Sequence, residues 1–268
     1  MTASRLTARA RREDILLRTT AGGPSTVEAL AARYDVTPST IRRDLAQLGE
    51  QGLLARTYGG VIPLGGGESS LPQRSSEAME AKRAIASEAY SRLAGASTVI
   101  LDAGSTVSAV APFVSGSDGL RVVTTNLAVI TELSDDACPV EVIGVAGRLR
   151  RPSQGFVGPL AEAVLERVHA DVAFLGTDAI TPYGELCEMD LEQTRLKEIM
   201  GRRADRTYVL AHGAKLGTRV GVATLPLPRT WGIITDASAP DAAVAGLRER
   251  GLEVVVAGEA PEGGVSAA

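Results

Sequence analysis

Apolar residues recur at helical spacing near the start of the chain and in short continuous runs beyond residue 97, and this change of period divides the chain in two. Within residues 36–48, Ile41, Leu45 and Leu48 fall within about 60° of one another at 100° per residue and form a core stripe on one helix face. Thr37 suits the N-cap and Pro38 the first helical position, where a missing N–H costs nothing. Ser39, Arg43 and Gln47 then point outward, Thr40 and Arg42 flank them, and Asp44 lies near the core stripe, placed to steady a neighbouring arginine. Upstream, Ser25-Thr26-Val27-Glu28 reads as a capping box ahead of Val27, Leu30 and Ala31, with a turn at Tyr34-Asp35. Ile15 and Leu16 mark a third helix within residues 5–19. Residues 52–62 alternate loosely and break at Gly59-Gly60, as a small hairpin does.

Beyond residue 97, runs at 98–101, 122–124, 140–143, 172–175, 208–210, 233–235 and 254–256 predict strands. Helices are expected near 106–114, 126–134, 160–169, 190–204 and 241–250, with Pro112 making the first short or kinked. Near-continuous apolar strands alternating with helices indicate a mostly parallel α/β sheet covered on both faces. Residues 63–76 have the composition of a linker, and residues 77–93 predict a helix with Met79, Ile85, Ala89 and Leu93 on its apolar side, stopped by Gly95. The expected division is 1–62, a winged helix-turn-helix; 63–76, a linker; 77–258, the α/β domain; and 259–268, a flexible tail.

Charge sharpens the division. Residues 1–60 hold nine Arg and no Lys against six acidic residues, net +3; the remainder holds nineteen basic and twenty-six acidic, net −7, which sums to −4. Basic character confined to the helix-turn-helix is what one DNA-meeting domain requires, and the outward hydroxyl and guanidinium groups can reach phosphates or base edges. A single +3 domain neutralises few phosphates, so an oligomer with at least two such domains is expected. No charged segment followed by an apolar core opens the chain and no apolar run approaches twenty residues, so a cytoplasmic protein without a membrane partner is expected. Cys138 and Cys187 lie far apart without metal-ligand spacing and read as buried thiols. Neither metal nor cofactor is expected.

Ligands of such sheets bind beyond the C-terminal strand ends. At the first, Asp102-Ala103-Gly104-Ser105-Thr106 turns on glycine, with Ser105 read as the cap of the next helix, and brings backbone N–H groups and two hydroxyls together, an arrangement suited to an anion. Thr125-Asn126 offers polar side chains at the second, with Asn126 read equally as a helix cap. Asp178 stands past the strand ending at 175, and residues 210–215 include His212 and Lys215. Only three lysines, Lys82, Lys197 and Lys215, stand among twenty-five arginines, so a compact ammonium is singled out there, although Lys82 reads equally as solvated surface.

The residues Val36-Thr37, Thr40-Ile41-Arg42-Arg43-Asp44-Leu45 and Arg56-Thr57-Tyr58-Gly59-Gly60 resemble the DNA-binding domain of the DeoR family of bacterial transcriptional regulators. The resemblance implies that Thr40, Arg42 and Arg43 belong to the recognition helix. With the cap, outward face and wing, the expected DNA-facing set is Thr37, Ser39, Thr40, Arg42, Arg43, Gln47, Arg56, Tyr58 and Gly59. It continues through residues 82–86, Asp102–Thr106, Thr125-Asn126, Gly147, Gly158, Asp178, Lys197 and Lys215, which fall where that family's sensor domain has similar residues. That Rossmann-like domain is similar to ribose-phosphate isomerases and sugar-phosphate deaminases, which implies a phosphorylated sugar as effector. The implied effector residues are Asp102, Gly104, Ser105, Thr106, Thr125, Asn126, Asp178, Lys197 and Lys215. His212-Gly213 departs from the family's common Asp-Ser.

The expected function is a DNA-binding repressor of carbohydrate-use genes, a homodimer or homotetramer released from a double-stranded operator by a sugar phosphate, with no catalytic residue. The alternative is a sugar-phosphate isomerase or deaminase carrying a DNA-binding domain, which needs a positioned base and acid; Asp178 is the one well-placed carboxylate, while Glu185 and Glu188 fall in a glycine-containing loop. On the sensor reading, Lys197→Ala binds operator normally and resists release.

Overall fold

The computed structural model describes residues 7–20, 26–50, 54–57, 60–63 and 71–258, and the chain divides into two units, Met1–Glu68 and Ser69–Ala268. Ser25, Tyr58, Gly59, residues 64–70 of the expected linker and the expected tail at 259–268 lie outside the described residues.

In the first unit, α1 (Ala8–Thr20), α2 (Val27–Tyr34) and α3 (Pro38–Glu50) precede an antiparallel hairpin of β1 (Leu54–Thr57) and β2 (Gly60–Pro63). Ile15, Leu30, Ala31, Ile41, Leu45 and Leu48 cluster as the core, so the stripe on α3 faces inward. The cap of α2 is Thr26, whose Oγ1 accepts from Ala29 N at 3.2 Å; the helix therefore begins one residue later than the Ser25 capping box predicts. Asp35 takes the left-handed conformation that reverses the chain, and Thr37 Oγ1 caps α3 by accepting from Thr40 N at 3.3 Å. Buried Asp44 accepts from Arg11 Nε at 2.7 Å and Arg12 Nη1 at 3.4 Å, and Tyr34 donates to Asp14 at 2.8 Å, so α1 is fastened to both other helices.

In the second unit, α4 (Leu71–Ser76) and α5 (Met79–Ser91) precede β3 (Thr98–Leu101), α6 (Ser105–Ser108), α7 (Ala111–Val114), β4 (Arg121–Thr124), α8 (Leu127–Glu132) and β5 (Glu141–Gly144). The hairpin of β6 (Arg148–Arg150) and β7 (Gly155–Val157) leads to α9 (Pro159–Leu165), β8 (Ala170–Leu175), β9 (Ala179–Ile180), β10 (Glu185–Glu188) and α10 (Leu191–Arg202). Then come β11 (Ala204–Leu210), a 3-10 turn at Gly213–Lys215, β12 (Ala223–Pro226), β13 (Trp231–Asp236), α11 (Asp241–Glu249) and β14 (Glu253–Ala257).

Seven strands form one parallel sheet in the order β14-β13-β11-β8-β3-β4-β5. These are the seven predicted apolar runs, and one core covers each face. From β3 the chain builds outward through β4 and β5, then returns to lay β8 against the other edge of β3 and builds the opposite way. The direction reverses between β3 and β8, and in an open α/β sheet the crevice beyond that reversal is where a ligand sits.

Several expectations need correction. The second half of the expected linker is helical: α4 occupies Leu71–Ser76 with Leu71 buried. Met79, expected on the apolar side of α5, is 64% exposed, while Ile85, Ala89 and Leu93 are buried. The single helix expected at 106–114 is two short helices, with Pro112 at the start of the second, where its ring is tolerated. The hairpin β6–β7 and the antiparallel sheet β12-β10-β9 are additions, and Glu185–Glu188 is a strand where a loop was expected. Cys138 is half-buried; Cys187 is buried as expected.

Candidate functional site

The turn that leaves β3 starts from Asp102, whose N–H donates to Phe174 O at 3.0 Å and whose Oδ2 accepts from Gly176 N at 3.0 Å, tying the ends of β3 and β8 together. A Cβ at position 176 would stand 2.8 Å from Ala103 O, so glycine permits the close approach. Gly104 turns at φ +120°, a conformation that L side chains rarely adopt. It is also the N-cap of α6: Ser105, expected as the cap, is the first helical residue.

Around this crossing the structure gathers Gly104, Ser105, Thr106, Asp178, Lys197 and Lys215 of the expected effector set, with Asp102 behind them. It adds Arg74, Ser153, Thr177, Glu188 and Gln193, which sequence reasoning did not place there. Lys197 is 1% exposed, donates to Asp102 Oδ2 and lies 3.6 Å from Glu188 Oε1. Burial acts to lower its pKa, but Asp102 and Glu188 outweigh burial and raise it above the usual lysine range. Lys215 reaches the site from the 3-10 turn and donates to Thr177 O at 2.5 Å; burial pushes its pKa down, Asp178 opposing and Arg74 adding to the fall. Arg74, from α4, lies 3.5 Å from Asp178 Oδ1 and donates to Pro152 O at 3.0 Å.

Glu188 is fully buried, and burial pushes its carboxyl up to about 8 against the pull of Lys197, with Asp178 and Asp102 adding to the rise. The folded state thus holds a proton that the unfolded chain releases near the ordinary 4.5. Its stabilising contribution is complete below that value and is lost as the pH climbs to about 8. Against Glu188→Gln, wild type should lose unfolding free energy between about pH 5 and 8 with a slope of up to about 1.4 kcal/mol per pH unit. Urea unfolding at a series of pH values reads this, and parallel curves for the two proteins would refute it.

Thr125 and Asn126 are not brought into the lining. Asn126 caps α8 by accepting from Ala128 N at 3.1 Å, and its Nδ2 donates to Asp102 O and Ser108 Oγ, each at 3.0 Å. It braces the turn from behind. Asn126→Ala should therefore cost about 1–2 kcal/mol of stability in chemical denaturation, from the lost cap and the unmet carbonyl; an unchanged midpoint would show that the brace carries no weight. Lys82 is buried, which removes the solvated reading: it donates to Arg74 O and to Glu77 O, and burial, with Lys215 nearby, lowers its pKa to about 8. His212 lies 3.4 Å from Ser238 Oγ, and Gly213 is required because a Cβ would stand 2.2 Å from Ala239 N. The departure at 212–213 thus falls on the turn that carries Lys215, and neither residue lines the space among these groups.

The space among these groups is about 20 Å³. A larger hollow of about 550 Å³ borders it at Ser105 and is lined by Met79, Lys82, Arg83, Pro112 and Phe113 among others. The polar chemistry lies in the smaller space.

On the first unit, Ser39, Arg42, Arg43 and Gln47 are exposed on α3 away from its core stripe, with Thr40 half-buried beside them. The Thr37 hydroxyl hydrogen-bonds with Ser39 at 2.8 Å and Thr40 at 2.9 Å, so it orders the helix start. Arg56 lies in β1, where its backbone is opposite Val61. Among the described residues there is no group of three or more His, Cys, Asp or Glu that could hold a metal ion, and no helix long and apolar enough to cross a membrane.

Residues 11–64 match the family described as DeoR-like helix-turn-helix domain, and residues 77–237 match the DeoR C terminal sensor domain. The chain is 35% identical to the HTH-type transcriptional regulator GlpR of Haloferax volcanii, over 78% of this chain and 82% of that protein. It is 30% identical to the HTH-type transcriptional regulator GolR of Listeria innocua, over 87% and 92%. It is 29% identical to the glycerol-3-phosphate regulon repressor of Escherichia coli K12, over 81% and 86%.

Proposed function

Because the chain belongs to the DeoR family of transcriptional regulators, we propose that it represses carbohydrate-use genes and leaves its operator when a phosphorylated sugar binds the second unit. It is a DNA-binding regulator and not an enzyme, as its relatives are. The observation that carries the effector reading is the meeting of Lys197, Lys215, Ser105 and Thr106 at the reversal point of the sheet. Buried cations and hydroxyls suit a phosphate monoester, since charge-assisted hydrogen bonds are the strong ones. The glycerol-3-phosphate regulon repressor among the relatives bears a phosphate ester in its name, which agrees with this chemistry.

The DNA-facing set is Ser39, Thr40, Arg42, Arg43 and Gln47 of α3, with Thr37 ordering its start and Arg56, Tyr58 and Gly59 of the wing. The unit of action is a cytoplasmic homodimer or homotetramer reading half-sites about one helical turn apart, or a multiple of it. The test is release of the full chain from DNA upstream of its own gene by a panel of sugar phosphates beside the same sugars without phosphate. Release by the phosphorylated member alone is expected. Equal action of both, or release by neither, would overturn the reading.

A further inference from the structure

The seven-stranded sheet ends on two edge strands, β14 and β5, and they differ in cover. Along β14, Val254, Val256 and Ala257 are buried, whereas no residue of β5 is: Val142 and Ile143 are half-buried, and Glu141 and Gly144 are exposed. Among the described residues β5 pairs with β4 alone. Glu141 N and Val145 N donate to Leu120 O and Thr124 O on the β4 side. Strand alternation then turns the N–H and C=O groups of Val142 and Gly144 outward, to the open edge. Such an edge is a template for a further strand, and folds normally blunt it with charge, proline or a bulge. The one charge on β5, Glu141, is paired with Arg121 of β4 at 2.8 Å.

α9 adds a second unpartnered surface beside it. Its Ala161 and Leu165 are buried in the core, and its Glu162 and Glu166 face α10, where Arg195 lies 3.6 Å from each. At 100° per residue, Leu160 and Val164 fall on the flank opposite those carboxylates. That flank looks toward the β5 edge, because α10 leads into β11 on the other side of β8. Leu160 is 67% exposed and Val164 36%. A helix needs one apolar face to hold it to its sheet, and this flank is a second.

We infer that β5 pairs antiparallel with β5 of a second copy of this chain, extending the sheet across a two-fold axis, with the Leu160 and Val164 flank of α9 covering the seam. This rests on the reading that the chain acts as a homo-oligomer, and it assigns the surface. A second copy fits the edge better than a foreign peptide because the edge is its own complement. Centred on Ile143, the pairing sets Val142 against Gly144 in both directions, so each outward N–H meets an outward C=O. Ile143 then meets Ile143 in a non-hydrogen-bonded pair, whose side chains share a face and approach closely. Glu141 falls opposite Val145, so no carboxylate faces its own copy.

The experiment is oxidative cross-linking of the full chain with its own thiols removed by Cys138→Ser and Cys187→Ala. Cβ atoms of a non-hydrogen-bonded cross-strand pair stand about 4.5 Å apart, a small adjustment from disulfide geometry. In that background Ile143→Cys should therefore form a covalent dimer about tenfold faster than Glu253→Cys on the opposite edge strand β14. Sedimentation equilibrium gives a second reading that leaves β5 untouched. Leu160→Glu should weaken self-association about tenfold, since it carries an unpaired carboxylate into the seam. Leu191→Glu, at a position 71% exposed where α10 begins, should leave it unchanged. Cross-linking no faster at position 143 than at 253, or association unmoved by Leu160→Glu, overturns this interface while the homo-oligomer stands. A wild-type chain that stays monomeric at every concentration removes the homo-oligomer reading and this surface with it.

Discussion

Replacing Lys197 by methionine should lower the unfolding free energy of the second unit by about 3–5 kcal/mol, the usual cost of removing one member of a buried ion pair. Lys197 lies between Asp102 and Glu188 with 1% of its surface exposed, so no water can take its place cheaply. Asp102 also receives Gly176 N, and through that bond it joins β3 to β8. Loss of the cation therefore strikes the crossing on which the pocket is built. The expectation from sequence is that removing Lys197 alters the effector response; its pairing with Asp102 adds a structural role that precedes any ligand. Denaturant unfolding of Lys197→Met measures the cost, and the double variant Lys197→Met with Asp102→Asn should recover part of it because the stranded charge is gone. A loss below about 1 kcal/mol in the single variant would mean that water screens the pair after all.

Arg43→Ala should remove most of the preference for operator over random DNA and leave the melting temperature of the first unit unchanged. Arg43 is exposed on α3, on the side away from buried Ile41, Leu45 and Leu48, so truncation disturbs no core. A bidentate contact to a base edge is worth about 1–3 kcal/mol per half-site, and two half-sites in one complex multiply the loss. Arg42→Ala is the control: an arginine that meets phosphate should weaken specific and random DNA alike and reduce the salt dependence. Competition binding with operator and scrambled duplexes at two salt concentrations separates the cases. Unchanged discrimination in Arg43→Ala would place the reading face elsewhere on the unit.

What could be read from sequence followed from local rules. The strands of the large sheet, such as Val172–Leu175 within β8, are buried on both faces and so appear as unbroken apolar runs. The α3 stripe, its Thr37 cap and the inward lean of Asp44 follow from helix geometry alone. Glu188 behaves otherwise. Its burial depends on β10 pairing with both β9 and β12, and β12 begins some thirty-five residues later, at Ala223; nothing near Glu188 announces that pairing. Gln193 and Ser153 likewise enter the lining through tertiary placement. Arg74 was hidden by composition, because the glycine- and serine-rich run before it reads as linker while Leu71 and Lys82 anchor a helix there. Asn126 offered two readings, contact or cap, and the structure shows it capping α8.

The short helix α4 has a consequence for how the chain moves. Six residues are too few to hold a helix in water by their own hydrogen bonds. Its order is borrowed from burial of Leu71, from the hold of Arg74 on Asp178 and Pro152 O, and from the Lys82 tie. Segments of this kind open far more often than the sheet beneath them, and their amides exchange with solvent accordingly. α4 is also the first described element after the boundary between the units. If the proposed effector draws Arg74 away from Asp178, or clamps it there, the opening frequency of this segment should change. Deuterium uptake over residues 71–76 becomes a gauge of pocket occupancy that requires no DNA in the tube.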